Sequence, residues 1–85
     1  MTEPRDITIK RLHMRSMRRG IKEMDLILQS FFERNAPQMD DAALALYDAL
    51  LHENDQDLYQ WVTGQQPAPS KFNDLITEIA QTFQK

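Results

Sequence analysis

Apolar residues recur at three- and four-residue spacing along most of the chain. No segment alternates with period two over the length of a strand. The pattern predicts five helices and no sheet. The first covers 6–19, with Ile9, Leu12 and Met17 as a narrow apolar stripe among basic residues and Asp6 as its N-cap. So narrow a stripe leaves much of that helix exposed. Gly20 then interrupts the pattern. Gly inside a helix costs about 1 kcal/mol relative to Ala, so Gly20 is placed at a joint between helices, where it permits a tight turn or the close approach of another backbone. The second helix covers 21–35, with Ile21, Met24, Ile27, Leu28 and Phe31 on one face, and Pro37 stops it. The third covers 41–53, capped by Asp40, with Ala43, Leu46, Tyr47, Leu50 and Leu51 turned inward. A short fourth covers 56–63, capped by Asn54 or Asp55, with Leu58, Trp61 and Val62 as its anchors and Gly64 as its C-terminal cap. After a Pro-containing loop at 65–69, Ser70 caps the last helix, whose apolar face holds Phe72, Leu75, Ile76, Ile79, Ala80 and Phe83.

The fold class expected from this is all-α: a compact five-helix bundle, with one domain over 6–85 behind a flexible N-terminal arm at 1–5. A chain of 85 residues can bury one modest core and little more. The working surface is therefore expected on the outside.

Charge changes this picture more than composition does. The net charge is -3, but 7–22 carries six basic residues (Lys10, Arg11, Arg15, Arg18, Arg19, Lys22) and no acid, whereas from 36 onward eight acids face two lysines. A locally positive end attracts phosphates or an acidic protein surface. Nucleic-acid binding along 10–22 is thus a competing reading, opposed by the acidic total and by the lack of a recognition-helix pattern or of base-stacking aromatics beside the basic run. The absence of Cys removes disulfides, thiolate metal sites and Cys nucleophiles. His13 and His52 stand in no nucleophile motif and are too few for a zinc site. Asp40-Asp41 and the pair Asp55 and Asp57 sit at helix starts, where acids stabilise the positive end of the helix dipole. Two isolated glycines make no phosphate-binding loop. No apolar run nears the roughly 20 residues that span a bilayer, and the opening residues are not of signal-peptide type. The chain is expected to be cytoplasmic, with no membrane partner, no metal, no cofactor of its own and no catalytic residue.

The most distinctive segment is Arg19-Gly20-Ile21-Lys22-Glu23-Met24-Asp25, with Arg15-Ser16 just upstream. About thirty residues on comes Leu50-Leu51-His52-Glu53-Asn54-Asp55-Gln56-Asp57-Leu58-Tyr59-Gln60-Trp61-Val62-Thr63-Gly64. Together, in a Cys-free helical chain of this length, they resemble the succinate dehydrogenase flavinylation-factor family, whose bacterial members are called flavinators and whose mitochondrial members are succinate dehydrogenase assembly factors. The resemblance runs from about Arg11 to Gly64. It departs from the family pattern at Asn54-Asp55-Gln56-Asp57, where many members carry Asp-Pro, and at Met14, where an aromatic is usual. It implies a five-helix fold and a partner, the flavoprotein subunit of succinate dehydrogenase, and in some bacteria that of fumarate reductase. It also implies that the chain promotes covalent attachment of FAD to that subunit. The partner-binding residues it implies are Arg19, Gly20 and Glu23, with Arg15 and Asp25 beside them. On a helix starting near Gly20, Arg19 and Glu23 would flank bare backbone open to a partner loop. The plainer reading is an ordinary i,i+4 ion pair of about 0.3–0.5 kcal/mol. A monomer that binds no nucleic acid is expected.

Overall fold

The computed structural model describes residues 3–17 and 20–83, without the side chain of Phe83. Its helices are α1 (Arg5–Met17), α2 (Lys22–Asn35), α3 (Asp41–Leu51), α4 (Asp55–Val62) and α5 (Asn73–Phe83). Short 3₁₀ turns at Ala36–Gln38 and Ser70–Phe72 lead into α3 and α5, and no strand occurs among the described residues. The radius of gyration, 12.1 Å, is that of a close-packed chain of this length, about 12 Å.

Helix α2 is the hub. It packs on α1, α4 and α5, while α1 also leans on α3, and α4 on α5. Met24, Ile27, Leu28, Phe31 and Phe32 are all buried, and they meet Leu12 of α1, Leu44, Tyr47, Leu50 and Leu51 of α3, Leu58 and Val62 of α4, and Leu75, Ile76 and Ile79 of α5. Tyr47 stands where three helices converge. Its ring stacks on Phe32 with centroids 4.7 Å apart, and lies tilted to Phe31 at 6.0 Å. Its hydroxyl is 2.6 Å from Oγ of the fully buried Ser16 and 3.4 Å from the Leu28 carbonyl. The Ser16 hydroxyl donates to the Leu12 carbonyl at 2.8 Å, so Tyr47 donates to Ser16 Oγ, with the Leu28 carbonyl as a second acceptor. A buried polar pair is thereby fully satisfied.

The helix ends follow from local chemistry. Asp40 caps α3 by accepting from the Ala43 N–H at 2.8 Å. Asn54, rather than Asp55, caps α4, accepting from the Gln56 N–H at 2.8 Å. Gly64 closes α4 with φ +81°, and paired bonds from Gly64 N–H to the Trp61 carbonyl and from Gln65 N–H to the Gln60 carbonyl complete a Schellman motif. Helix α1 starts at Arg5, so Asp6 lies inside its first turn and does not cap it. Arg5 instead donates to the carbonyls of Ala36 and Met39, satisfying the end of α2 with a cation. Ser70 opens a 3₁₀ turn and makes no cap.

Three further expectations change. Of the α1 stripe only Leu12 is fully buried; Ile9 is half-buried and Met17 is 41% exposed, since the neighbouring helices cover only the strip around Leu12 and Ser16. Trp61 is half-buried rather than central, tilted against Phe72 at 6.2 Å, with Leu58 taking the inner position. Leu44, unassigned by the pattern, is buried. Among the described residues no helix is long and apolar enough to cross a membrane.

The Tyr47 network sets two expectations. Tyr47→Phe keeps the stack and the Ser16–Leu12 bond and loses about 1 kcal/mol, whereas Tyr47→Ala opens a cavity among three helices and loses about 3–5 kcal/mol; urea titrations of both variants check this. The N-terminal contacts set a pH dependence. Arg11, then Thr8, hold the exposed Glu3 carboxyl below its usual range. A carboxyl pKa lowered by folding adds stability above the ordinary carboxylate range and loses it as the pH falls through the folded value. The thermal midpoint of wild type is therefore expected above that of Glu3→Gln at pH 7, with the gap closing once the pH falls below about 4.5.

Candidate functional site

The end of α1, the start of α2, the end of α3 and the start of α4 meet at one end of the molecule. Gly20 lies in the bend between α1 and α2, as the pattern required. Its φ is not positive, so the bend itself does not demand glycine. Space does. A Cβ on Gly20 would stand 2.9 Å from Oδ2 of Asp55, closer than side-chain carbons come to any neighbour. The Gly20 N–H donates to that same oxygen. Bare backbone at Gly20 therefore admits a carboxylate of the chain's own α4. Asp55 can serve here because Asn54 already supplies the α4 cap.

Glu23 lies exposed in the first turn of α2. The Tyr59 hydroxyl, one turn along α4 from Asp55, donates to its Oε1 at 3.4 Å. Ile21 occupies the α2 N-cap position with extended backbone and offers no side-chain acceptor. A groove of about 440 Å³ opens beside the motif, lined by Glu23, Leu26, Ile27, Ser30 and Thr82, with Leu26 62% exposed.

The other expected residues are dispersed. Arg19 lies outside the described residues, so its pairing with Glu23 does too. Arg15 turns toward α3, where it reaches Asp48 Oδ1 at 3.5 Å and His52 Nε2 at 3.5 Å. His52 Nδ1 lies 2.8 Å from the Asp48 carbonyl, so the ring is the tautomer that donates from Nδ1 and accepts from Arg15 at Nε2. Asp25 is half-buried and, two positions on, points about 200° around the helix from Glu23.

Among the described residues, the basic run does not form one open face. Arg11 bonds Glu3 at 3.0 Å and Asp48 at 3.3 Å, which pushes its guanidinium pKa further up, and Arg15 shares Asp48. Lys10 and Lys22 are exposed. This arrangement removes two arginines from any phosphate-tracking surface. His13 pairs with Glu33 at 3.0 Å, and this bond, followed by one from Gln29, lowers the Glu33 pKa. Neither histidine faces a nucleophile, and among the described residues no group of three or more His, Cys, Asp or Glu could hold a metal.

Sequence reasoning did not find the role of Asp55 and passed over Tyr59. The available signal was an acid with a tyrosine four residues on, behind an asparagine that already fits the cap. The contact at Gly20 spans 35 residues, and no local pattern encodes it.

An exposed, braced helix joint at the polar end of a five-helix domain, rather than an internal cavity, carries the candidate site. The chain belongs to the family described as flavinator of succinate dehydrogenase, whose model matches residues 10–83. It is 34% identical over 98% of its length to succinate dehydrogenase assembly factor 2, mitochondrial, of Drosophila grimshawi, and 37% identical over 98% to the protein of that name in Meyerozyma guilliermondii. The Schizosaccharomyces pombe protein of that name is 39% identical over 82% of the chain. The matches cover 58%, 62% and 50% of those relatives, so the chain spans just over half their length.

The two glycines are expected to respond differently to substitution. Gly64 has open space around its α-carbon but a left-handed φ, so Gly64→Ala loses about 1–2 kcal/mol and Gly64→Asn less. Gly20→Ala has an ordinary conformation and displaces one carboxylate, so its unfolding free energy changes by less than about 1 kcal/mol. Urea denaturation of the three variants tests the contrast.

Proposed function

We propose that this chain binds the flavoprotein subunit of succinate dehydrogenase and promotes covalent attachment of FAD to it. The family match over residues 10–83 carries the reading. The exposed Glu23, beside a Gly20 whose geometry is fixed by a second element, supports the placement of the contact. Under this proposal Arg19, Gly20 and Glu23 meet the subunit, with Arg15 and Asp25 shaping the joint behind them. The chain contributes no catalytic residue and no cofactor; it acts on FAD held by the partner.

Attachment forms a bond between a nitrogen of a partner histidine and a methyl carbon of the flavin ring; that methyl group and the histidine nitrogen each give up a proton, and the oxidised flavin ring takes up the electron pair with two protons and is left reduced. The chain's part is geometry. Holding two reacting groups in near-attack position is worth several kcal/mol, within the roughly 7–11 kcal/mol that full positioning supplies. A factor that binds best to the arrangement in which histidine and ring face each other raises the population of that arrangement. It then leaves the finished subunit, for which its affinity is lower. A fumarate reductase flavoprotein is a second client of the same chemistry, and a monomer suffices for one contact surface. The proposed compartment is the cytoplasm; the relatives are mitochondrial by name.

The test expresses the flavoprotein subunit in cells lacking this protein, then restores either wild type or Gly20→Arg. Covalent flavin is read as fluorescence of the subunit on a denaturing gel. Wild type is expected to restore fluorescence, and Gly20→Arg, folded by circular dichroism, is expected to leave it near background. Equal fluorescence with and without the protein rules the proposal out.

A further inference from the structure

We infer that α4 is the brace of the docking motif: Asp55 positions Gly20, and Tyr59 positions Glu23. The inference rests on the reading of Gly20 and Glu23 as partner contacts and adds to it two residues on a different helix.

Two bonds join the same pair of surfaces. Asp55 and Tyr59 are four residues apart and share one face of α4, as residues one helical turn apart must. Gly20 and Glu23, three apart, stand opposite them at the entry to α2. The Asp55 carboxylate accepts the Gly20 N–H, and the Tyr59 hydroxyl donates to Glu23 Oε1 at 3.4 Å. Neither bond is needed to finish α4, whose N-terminus Asn54 caps. The buried anchors of that helix, Leu58 and Val62, lie on the same side, three and seven residues on from Asp55, and enter the core beside these two contacts.

The choice of chemistry fits a holding role. A lysine or arginine at position 59 would fix Glu23 by neutralising it. A phenol fixes it and leaves its negative charge for a cation of the partner. Asp55 holds the joint by its backbone, through the Gly20 N–H. A glutamate side chain otherwise gives up rotamer freedom on docking, and restricting it beforehand raises affinity without a new contact. Tyr59 and Asp55 are therefore positioning residues, acting through Glu23 and Gly20.

The experiment measures calorimetric binding of the full-length chain to the flavoprotein subunit before FAD attachment, with amide exchange of the free chain alongside. Tyr59→Phe is expected to weaken binding about 3- to 10-fold with an unchanged thermal midpoint, and to have no further effect in a Glu23→Ala background. Asp55→Asn keeps an oxygen that accepts from Gly20 and is expected near wild type. Asp55→Ala loses that oxygen and is expected to weaken binding about 10-fold and to speed exchange of the Gly20 amide. Additive losses for Tyr59→Phe and Glu23→Ala overturn the role of Tyr59. Asp55→Asn binding as weakly as Asp55→Ala overturns the role of Asp55. Wild type that does not bind overturns the docking reading itself; the brace then fails only in its purpose, because Gly20 exchange in the free chain still reports whether Asp55 holds the joint.

Discussion

The meeting of Tyr47 with Phe32 and Ser16 is the constraint on which the arrangement of helices rests. One side chain of α3 lies flat on α2 through its ring and reaches α1 through its hydroxyl. Stacking tolerates sliding, but the hydroxyl does not. Its acceptor is a serine that already donates within its own helix, so only one rotation of α1 about its axis satisfies both. That rotation turns Leu12 into the core and leaves Ile7 and Met14 outside. It also sets Arg11 and Arg15 over Asp48. Once α1 is fixed in this way, the bend that follows it has little choice of where to place Gly20.

The candidate site inherits its order from helices rather than from loop chemistry. Its two described contacts come from the first residue of α4 and from one a turn later, and Leu58 between them is fully buried. A site supported in this way moves only if α4 moves, and α4 is tied to α2 and α5. Polar bonds in an exposed region contribute little to stability. Their effect is on where the groups stand, which explains how residues of small energetic weight can matter to recognition.

Much of the fold was legible because helical periodicity and capping are local properties. The five helices, the caps at Asp40 and Asn54 and the left-handed Gly64 all follow from neighbours within four residues. What was missed at Ser16 and Met17 has the opposite character. Ser16 is buried because a tyrosine 31 residues away needs an acceptor, and nothing next to it says so. Met17 fits an apolar stripe, yet no helix arrives to cover it. Asp6 is a good cap residue two positions too late, since the helix begins at Arg5. At the site, Gly20 was legible as a joint and Glu23 as a surface residue. That Asp55 fills the space a Cβ would take at the joint could be read only with both ends of a 35-residue separation in view.

That separation also orders events during synthesis. The bend and the first turn of α2 leave the ribosome before α4 does. A nascent chain therefore displays Gly20 and Glu23 before anything holds them, and fragments that stop short of Tyr59 display them in the same slack form. The surface reaches its final shape only when α4 has been made and has settled on α2. The joint at Gly20 is in this way set only once α4 is in place, when one carboxylate closes on one backbone amide.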